Sequence, residues 1–180
     1  MYDPTNKTIT TERLILRTFR LSDVADITRV CDNYNVSKST LFIPYPYDSD
    51  YAAAWVSTLE ESFANSRSYD FAITDKNTGE FYGGISISHN AEDNNGEFGF
   101  WLGEPYWGKG YTTEAARAII DFGFTVKKFH KVYARHFESN PASGKVLQNA
   151  GMKQEGLFLE HILKNNKYEN VVQYGLINPN

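Results

Sequence analysis

The chain has one cysteine, Cys31, so no intrachain disulfide can form, and a reduced, cytoplasmic setting is the expectation. No stretch approaches eighteen consecutive apolar residues, so no membrane-spanning helix is expected. The opening "MYDPTNKTITTERL" lacks an apolar run and does not read as a secretory signal. Positive charge is not in excess: the formal net charge is -4, which leaves no basic footprint for nucleic acid. Four histidines (His89, His130, His136, His161) make no H-E-x-x-H, and C-x-x-C is impossible, so no metal site is expected. "HFE" at His136–Glu138 imitates half of a zinc deaminase signature whose cysteine pair is missing. A G-x-S-x-G nucleophile elbow and a Walker loop are both absent, and Thr113 stands where G-x-G-x-x-G needs its third glycine.

What is present is enough for a packed domain. The length of 180 residues fits one domain, and 41% hydrophobic and 15% aromatic residues supply a core. "ERLILRTFRL" (residues 12–21) alternates as a strand, and "SDVADITRVCDN" starts like a helix at Ser22. Pro44 and Pro46 break "LFIPYPYDSD" into a loop with aromatics. From Asp48 to Ala64 an apolar stripe of Ala52, Trp55, Val56, Leu59 and Phe63 marks a helix. "YDFAITDKNTGEFYGGISISHN" reads as two strands around the turn Asp75–Gly79, with Ile85 and Ile87 on one face. "GEFGFWLG" is a third strand, "HKVYARHFE" a fourth, "NPASGKVLQNAG" a helix closed by Gly151, and the end a hairpin turning at residues 164–167. The order β-α-α-β-β-β-α-β-α-β-β predicts a mixed α/β sheet covered by helices, with a parallel crossover at its centre.

The informative stretch is "YWGKGYTTEAARAIIDFGF" (residues 106–124). Ala115, Ala116, Ile119 and Ile120 recur at helical spacing, Glu114 suits the positive end of the helix dipole, and Lys127 and Lys128 suit the negative end. The helix therefore starts near Tyr111. Its first N–H groups lack internal partners, and Gly108-Lys109-Gly110 leaves them approachable by an anion such as a pyrophosphate. A plain tight turn before a helix is the other reading of these glycines.

This order of elements and the motifs "ERLILR", "GEFGFWL", "YWGKGYTTEA" and "ESNPASGKVLQNAGM" resemble the GNAT acetyltransferases, in particular the RimJ/RimL branch that acetylates N-terminal α-amines of ribosomal proteins. The resemblance spans about residues 10–177 and implies one GNAT domain over 1–180, with a mixed α/β sheet of about seven strands. It implies acetyl-CoA as co-substrate, with its pyrophosphate on the backbone of Gly108, Lys109, Gly110, Tyr111, Thr112 and Thr113. Pro105 departs from the Gln or Arg usual before that turn, which puts only a side-chain contact in doubt. Trp101 and Leu102 are implied to line the pantetheine arm, and core packing is the alternative role for their side chains.

Direct transfer needs a base for the amine, a donor for the developing oxyanion and a donor or acid at the departing sulfur. Glu97 is the candidate base, with a solvated strand-end carboxylate as the alternative. Asn140 is a helix cap worth about 1 kcal/mol, and the family implies that it also touches the CoA arm. Leu147 occupies the position of the tyrosine acid found in many relatives, and Ser143 is the implied substitute, as a hydrogen-bond donor to sulfur. Phe42, Tyr45, Tyr47 and Trp55 lie near the implied acceptor site. The implied partners are an amine acceptor, either a protein N-terminus or a small amine such as a polyamine, and no nucleic acid or membrane. A homodimer and a CoA-binding module without turnover stay open from the sequence.

Overall fold

The computed structural model describes residues 1–179. The strands are β1 (Tyr2–Asp3), β2 (Thr8–Thr10), β3 (Leu14–Thr18), β4 (Ser68–Asp75), β5 (Phe81–Asn90), β6 (Asn95–Leu102), β7 (Lys131–Phe137), β8 (Lys153–Lys164) and β9 (Lys167–Ile177). They form one sheet in the order β1-β2-β3-β4-β5-β6-β7-β9-β8. The helices are α1 (Val24–Cys31), α2 (Tyr34–Lys38), α3 (Ser49–Ala64), α4 (Tyr111–Asp121) and α5 (Pro141–Asn149). None of them is long and apolar enough to cross a membrane.

The sheet has nine strands where about seven were expected. The extra two lie in "MYDPTNKTIT", whose strands of two and three residues are too short to show a period. Ile9 gives the segment its anchor, being buried opposite Leu16. The expected first helix also divides. Residues 21–23 form a 3-10 turn, α1 follows, and Asn33 caps the separate α2 through its side chain.

Two faces of the sheet follow from strand alternation. On one face Tyr69, Phe71, Ile73, Ile85, Ile87 and Phe98 pack under the α4 stripe of Ala115, Ala116, Ile119 and Ile120. The helix runs on into a π turn at residues 122–126, and Phe122 meets Tyr69 and Phe71 edge-on, with ring centroids 5.5 Å apart in each pair. On the other face Ala72 belongs to a second cluster with Ile27, Val30, Cys31, Ala52 and Val56 of α1 and α3. The end of β4 nearest Ser68 carries Asp70 on that second face, beside Ser86 of β5.

β6 and β7 are parallel, joined through α4 as expected, but they pair only at Asn95–Lys131, Gly96–Val132 and Glu97–Tyr133. Beyond Glu97 the strands part, and the free edge of β6 faces a wedge closed at its far side by α5.

Glu114 fastens the first turn of α4 to the start of β3. It accepts from Thr11 Oγ1 (2.7 Å), Arg13 N (2.8 Å) and Arg13 Nε (2.7 Å). Burial acts to raise its pKa, but these hydrogen bonds outweigh burial and hold it below the ordinary glutamate value. A carboxylate with a depressed native pKa adds stability above its unfolded pKa and loses it as pH falls through the native one. Glu114→Gln is therefore expected to lower the unfolding midpoint at pH 7. The gap to wild type should shrink as pH drops below about 4.3 and through the lower native value, and a gap constant over pH 3–7 would contradict the ion-pair account.

Candidate active site

The glycine turn is built as its sequence suggests. Gly108 and Gly110 have φ of 72° and 80°, a region that favours glycine. Gly110 precedes α4 with no side-chain cap, so the first-turn N–H groups carry no side-chain partner. An added Cβ at Gly108 would meet nothing within 4 Å, so this glycine is set by backbone conformation and not by crowding. Pro105 is the second residue of a 3-10 turn at residues 104–106.

A groove of about 830 Å³ runs from this turn along the β6–β7 wedge. Gly108, Gly110, Thr112, Thr113, Trp101 and Leu102 line it, with Asn140 and Ser143 across from them. Lys38, Lys145, Lys164 and Lys167 also border it. Lys109 and Tyr111 do not line it. Arg13 explains why: its guanidinium donates to the Lys109 carbonyl (3.0 Å) and lies 4.7 Å from the Tyr111 ring centre, while Tyr111 stacks on Tyr82. The Lys109 ammonium sits 5.9 Å from the Tyr106 ring centre. The Leu102 carbonyl accepts from the Trp107 indole N–H at 2.7 Å. Trp101 lies flat against Gly84, where an added Cβ would come within 2.8 Å of its indole.

Asn140 does two jobs. Its side-chain oxygen accepts from Ser143 N (3.3 Å), as a helix cap, and its amide donates to Ser143 Oγ (2.9 Å) and to the Ser39 carbonyl (3.2 Å). Because Ser143 Oγ accepts from Asn140, its own proton is available to donate elsewhere.

A second cavity, of about 460 Å³, joins the groove where Ser143, Ser39, Thr40, Phe100 and Trp101 border both. Its floor is the polar face of the sheet: Asp70, Ser86, Ser88, Glu97, Gly99 and Arg135. Phe42, Tyr47 and Trp55 line its other side, while Tyr45 turns away to pack edge-on with Tyr34. The roof loop over residues 39–47 is tied at the Ile43 carbonyl by Ser37 Oγ and Lys164 Nζ, both at 2.9 Å.

Glu97 faces this chamber, but not as a free carboxylate. Arg135 holds it by two hydrogen bonds, Nε to Oε1 at 2.7 Å and Nη2 to Oε2 at 3.1 Å. Asp70 was missed in the sequence. It is half-buried, and its partial desolvation raises its pKa against the opposing effect of a Ser68 hydroxyl donor. Cys31 also borders the chamber, with burial pushing its thiol up to about 12. Such a thiol is a poor nucleophile. We expect no alkylation of native Cys31 by iodoacetamide at pH 7.5 over hours, and rapid labelling in denaturant.

The glycine turn at an uncapped helix, the parted strands and the Asn140–Ser143 pair set this geometry beside a known family, and the sequence agrees. Residues 13–153 match the model of the acetyltransferase (GNAT) domain. The chain belongs to the GNAT acetyltransferase family. It is an N-acetyltransferase, similar over 172 residues at 27% identity to the uncharacterized N-acetyltransferase p20 of Bacillus licheniformis, covering 95% of this chain and 96% of that one. It is 25% identical over 182 residues to the [ribosomal protein uS5]-alanine N-acetyltransferase of Escherichia coli (strain K12), covering 95% and 91%. In fold it resembles RimL, a ribosomal L7/L12 alpha-N-protein acetyltransferase solved with coenzyme A, with a TM-score of 0.86 at 18% identity over 94% of this chain and 97% of that one.

The groove fits coenzyme A on three observations. The uncapped first turn of α4 after two positive-φ glycines suits a pyrophosphate. The unpaired edge of β6 suits the amides of a pantetheine arm. Lys38 and Lys145 border the same groove and suit an anionic ligand, while Lys164 is held by the Ile43 carbonyl and Lys167 by Glu169.

Proposed function

We propose that this GNAT acetyltransferase moves the acetyl group of acetyl-CoA to the N-terminal α-amine of a protein or peptide. The observation that carries the reading is the meeting of two cavities at Ser143: a groove suited to an anion on one side and, on the other, a chamber whose floor holds Asp70 beside the paired Glu97 and Arg135. The first suits a nucleotide-bearing donor and the second a cationic amine. Similarity to the uS5-alanine enzyme along nearly the whole chain supports a peptide terminus as acceptor.

Acetyl-CoA supplies the acetyl group as a thioester. Gly108, Gly110, Thr112 and Thr113 hold its phosphates, mainly by backbone N–H. Trp101 walls the arm and Asn140 fixes the rotamer of Ser143. The Ser143 hydroxyl, already accepting from Asn140, gives its hydrogen bond to the sulfur. Glu97 keeps Arg135 at the chamber floor, and as the proton acceptor it would first have to release that guanidinium.

Thermal unfolding with acetyl-CoA, CoA, ATP and NAD added separately checks the donor. At 100 times Kd a ligand stabilises by about 2.7 kcal/mol, so acetyl-CoA and CoA should raise the midpoint by roughly 5–10 °C while ATP and NAD do little. No shift with acetyl-CoA at millimolar concentration would remove the donor assignment. Mass spectrometry of alanine-initiated and serine-initiated peptides against spermidine and free amino acids then checks the acceptor. Acetylation of spermidine alone would move the reading to a small-amine enzyme, and CoA binding with no acceptor modified would leave a binding module. Ser143→Ala is expected to lose about tenfold or more in kcat with little change in acetyl-CoA affinity, and a loss under threefold would remove its role at the sulfur.

A further inference from the structure

The chamber holds several groups that could take a proton from an ammonium, and most are committed. Besides Asp70, the chamber is bordered by Cys31 from α1, Tyr47 from the roof, Tyr51 from α3, Glu97 from β6, and Arg135 and His136 from β7. Cys31 keeps its proton at neutral pH, and burial likewise raises the Tyr47 phenol. Glu97 spends both oxygens on Arg135. His136 places Nδ1 2.7 Å from the Phe137 carbonyl, which makes Nδ1 the protonated nitrogen. Its other nitrogen, Nε2, is buried without a partner against Gly144, where one added Cβ would come within 2.7 Å, so α5 walls it off.

Asp70 stands apart from these. One carboxylate oxygen, Oδ2, accepts from Ser68, while Oδ1 has no hydrogen-bond partner among the described residues. Register places Asp70 opposite Ser86, and Ser86 opposite Gly99. These three form one row on the chamber face. At Gly99 an added Cβ would meet nothing within 4 Å, so the row opens into free space beside the parted edge of β6. Two strand spacings, about 10 Å, separate the Asp70 and Gly99 backbones. An amine over Ser86, one strand spacing of about 5 Å from Asp70, comes within reach of its carboxylate.

The geometry points to Asp70 as the catalytic base: its free carboxylate oxygen receives the ammonium of the acceptor and takes one proton from it. This rests on the acetyl-transfer reading above. The carboxylate becomes a carboxylic acid and the ammonium a neutral amine. The amine nitrogen then bonds to the acetyl carbon as the carbon–sulfur bond breaks, and its second proton goes to the departing thiolate. Asp70 returns its proton to water, so the sum is ammonium plus thioester to amide, thiol and one proton. Withdrawal from water supports this role, because a base is most effective with its pKa moved toward the working pH. Arg135 and Glu97 act as positioning residues that leave the chamber with one uncompensated carboxylate.

The test uses Asp70→Asn in the full chain and needs readouts besides turnover. Carbon-13 NMR of aspartate carboxyls should show one that titrates above the ordinary value of about 3.9 in wild type and is missing in Asp70→Asn. The variant should also unfold at a higher temperature at pH 8, because a half-buried carboxylate without a cationic partner has lost its charge, whereas loss of a merely structural contact would lower it. With acetyl-CoA and whichever of an alanine-initiated peptide and spermidine the wild type acetylates, kcat at pH 7 should fall about a hundredfold. It should recover toward wild type as pH rises and the free amine supplies itself. An Asp70 carboxyl titrating at its ordinary value, or a variant within threefold of wild type at pH 7, would overturn the assignment while acetyl-CoA still shifts the wild-type midpoint. If acetyl-CoA fails to shift that midpoint, the transfer reading falls first and Asp70 falls with it.

Discussion

Replacing Gly110 with valine is expected to weaken acetyl-CoA binding by on the order of a hundredfold or more, with the fold retained. The residue sits at φ 80°, immediately before α4, and its carbonyl accepts from Glu114 N at 3.1 Å as the helix begins. A β-branched side chain resists that conformation by roughly 1–2 kcal/mol. The chain can relieve the strain by turning the peptide over, and the cost then moves to the ligand. The N–H groups that converge on one anion would no longer do so. A hydrogen bond to a charged group is worth about 1.5–3 kcal/mol, so two such bonds account for a hundredfold or more, at a factor of ten per 1.4 kcal/mol. Isothermal titration with CoA measures the loss, and circular dichroism checks that the helix remains. Gly108→Ala should act in the same direction at lower amplitude, since its Cβ finds open space. If Gly110→Val bound CoA within threefold of wild type, the pyrophosphate would have to lie elsewhere.

That turn was legible because its chemistry is local. Two glycines, a helix start and an apolar stripe occupy thirteen consecutive residues, 108–120, and each constrains its neighbours. The Asn140 cap, the positive φ of Gly151 and the parallel crossover were legible for the same reason. The chamber was not. "ISIS" shows Ile85 and Ile87 on one face, but the same alternation sends Ser86 and Ser88 to the other, and what lies there depends on α1 and α3, which precede β4 in the chain. Asp70 looks like an ordinary polar position in a half-exposed strand until those helices cover it. Glu97 was placed in the right chamber but without Arg135, because β7 lies beyond α4 and the register that sets them side by side is invisible in sequence. Lys109 and Tyr111 belong to the turn as sequence, yet Arg13, about a hundred residues earlier, draws the Lys109 carbonyl and the Tyr111 ring to its own side.

Asp23→Ala is expected to cost the most stability of any single polar replacement proposed for this chain, about 3–5 kcal/mol, or a midpoint lower by roughly 6–20 °C. Asp23 is 5% exposed and accepts from both Arg17 guanidinium nitrogens, at 2.7 and 2.8 Å, and from Arg20 N at 2.9 Å. Alanine would leave the Arg17 charge, itself only 17% exposed at its side chain, with no counter-charge and only the Thr18 carbonyl (3.1 Å) to donate to, and the Arg20 amide without its acceptor. The pair spans the turn between β3 and α1, the helix that carries Ile27, Val30 and Cys31 into the cluster behind the chamber. Removing the whole pair is a different experiment from breaking it. A double replacement, Arg17→Met with Asp23→Leu, withdraws both charges at once and should recover most of the loss, because the interior then no longer holds an orphaned ion. Denaturant unfolding of the wild type, both single variants and the double variant gives the coupling directly. Additive losses across that cycle would mean that the two side chains act independently, and that the 3-10 turn at residues 21–23 is held by its backbone alone.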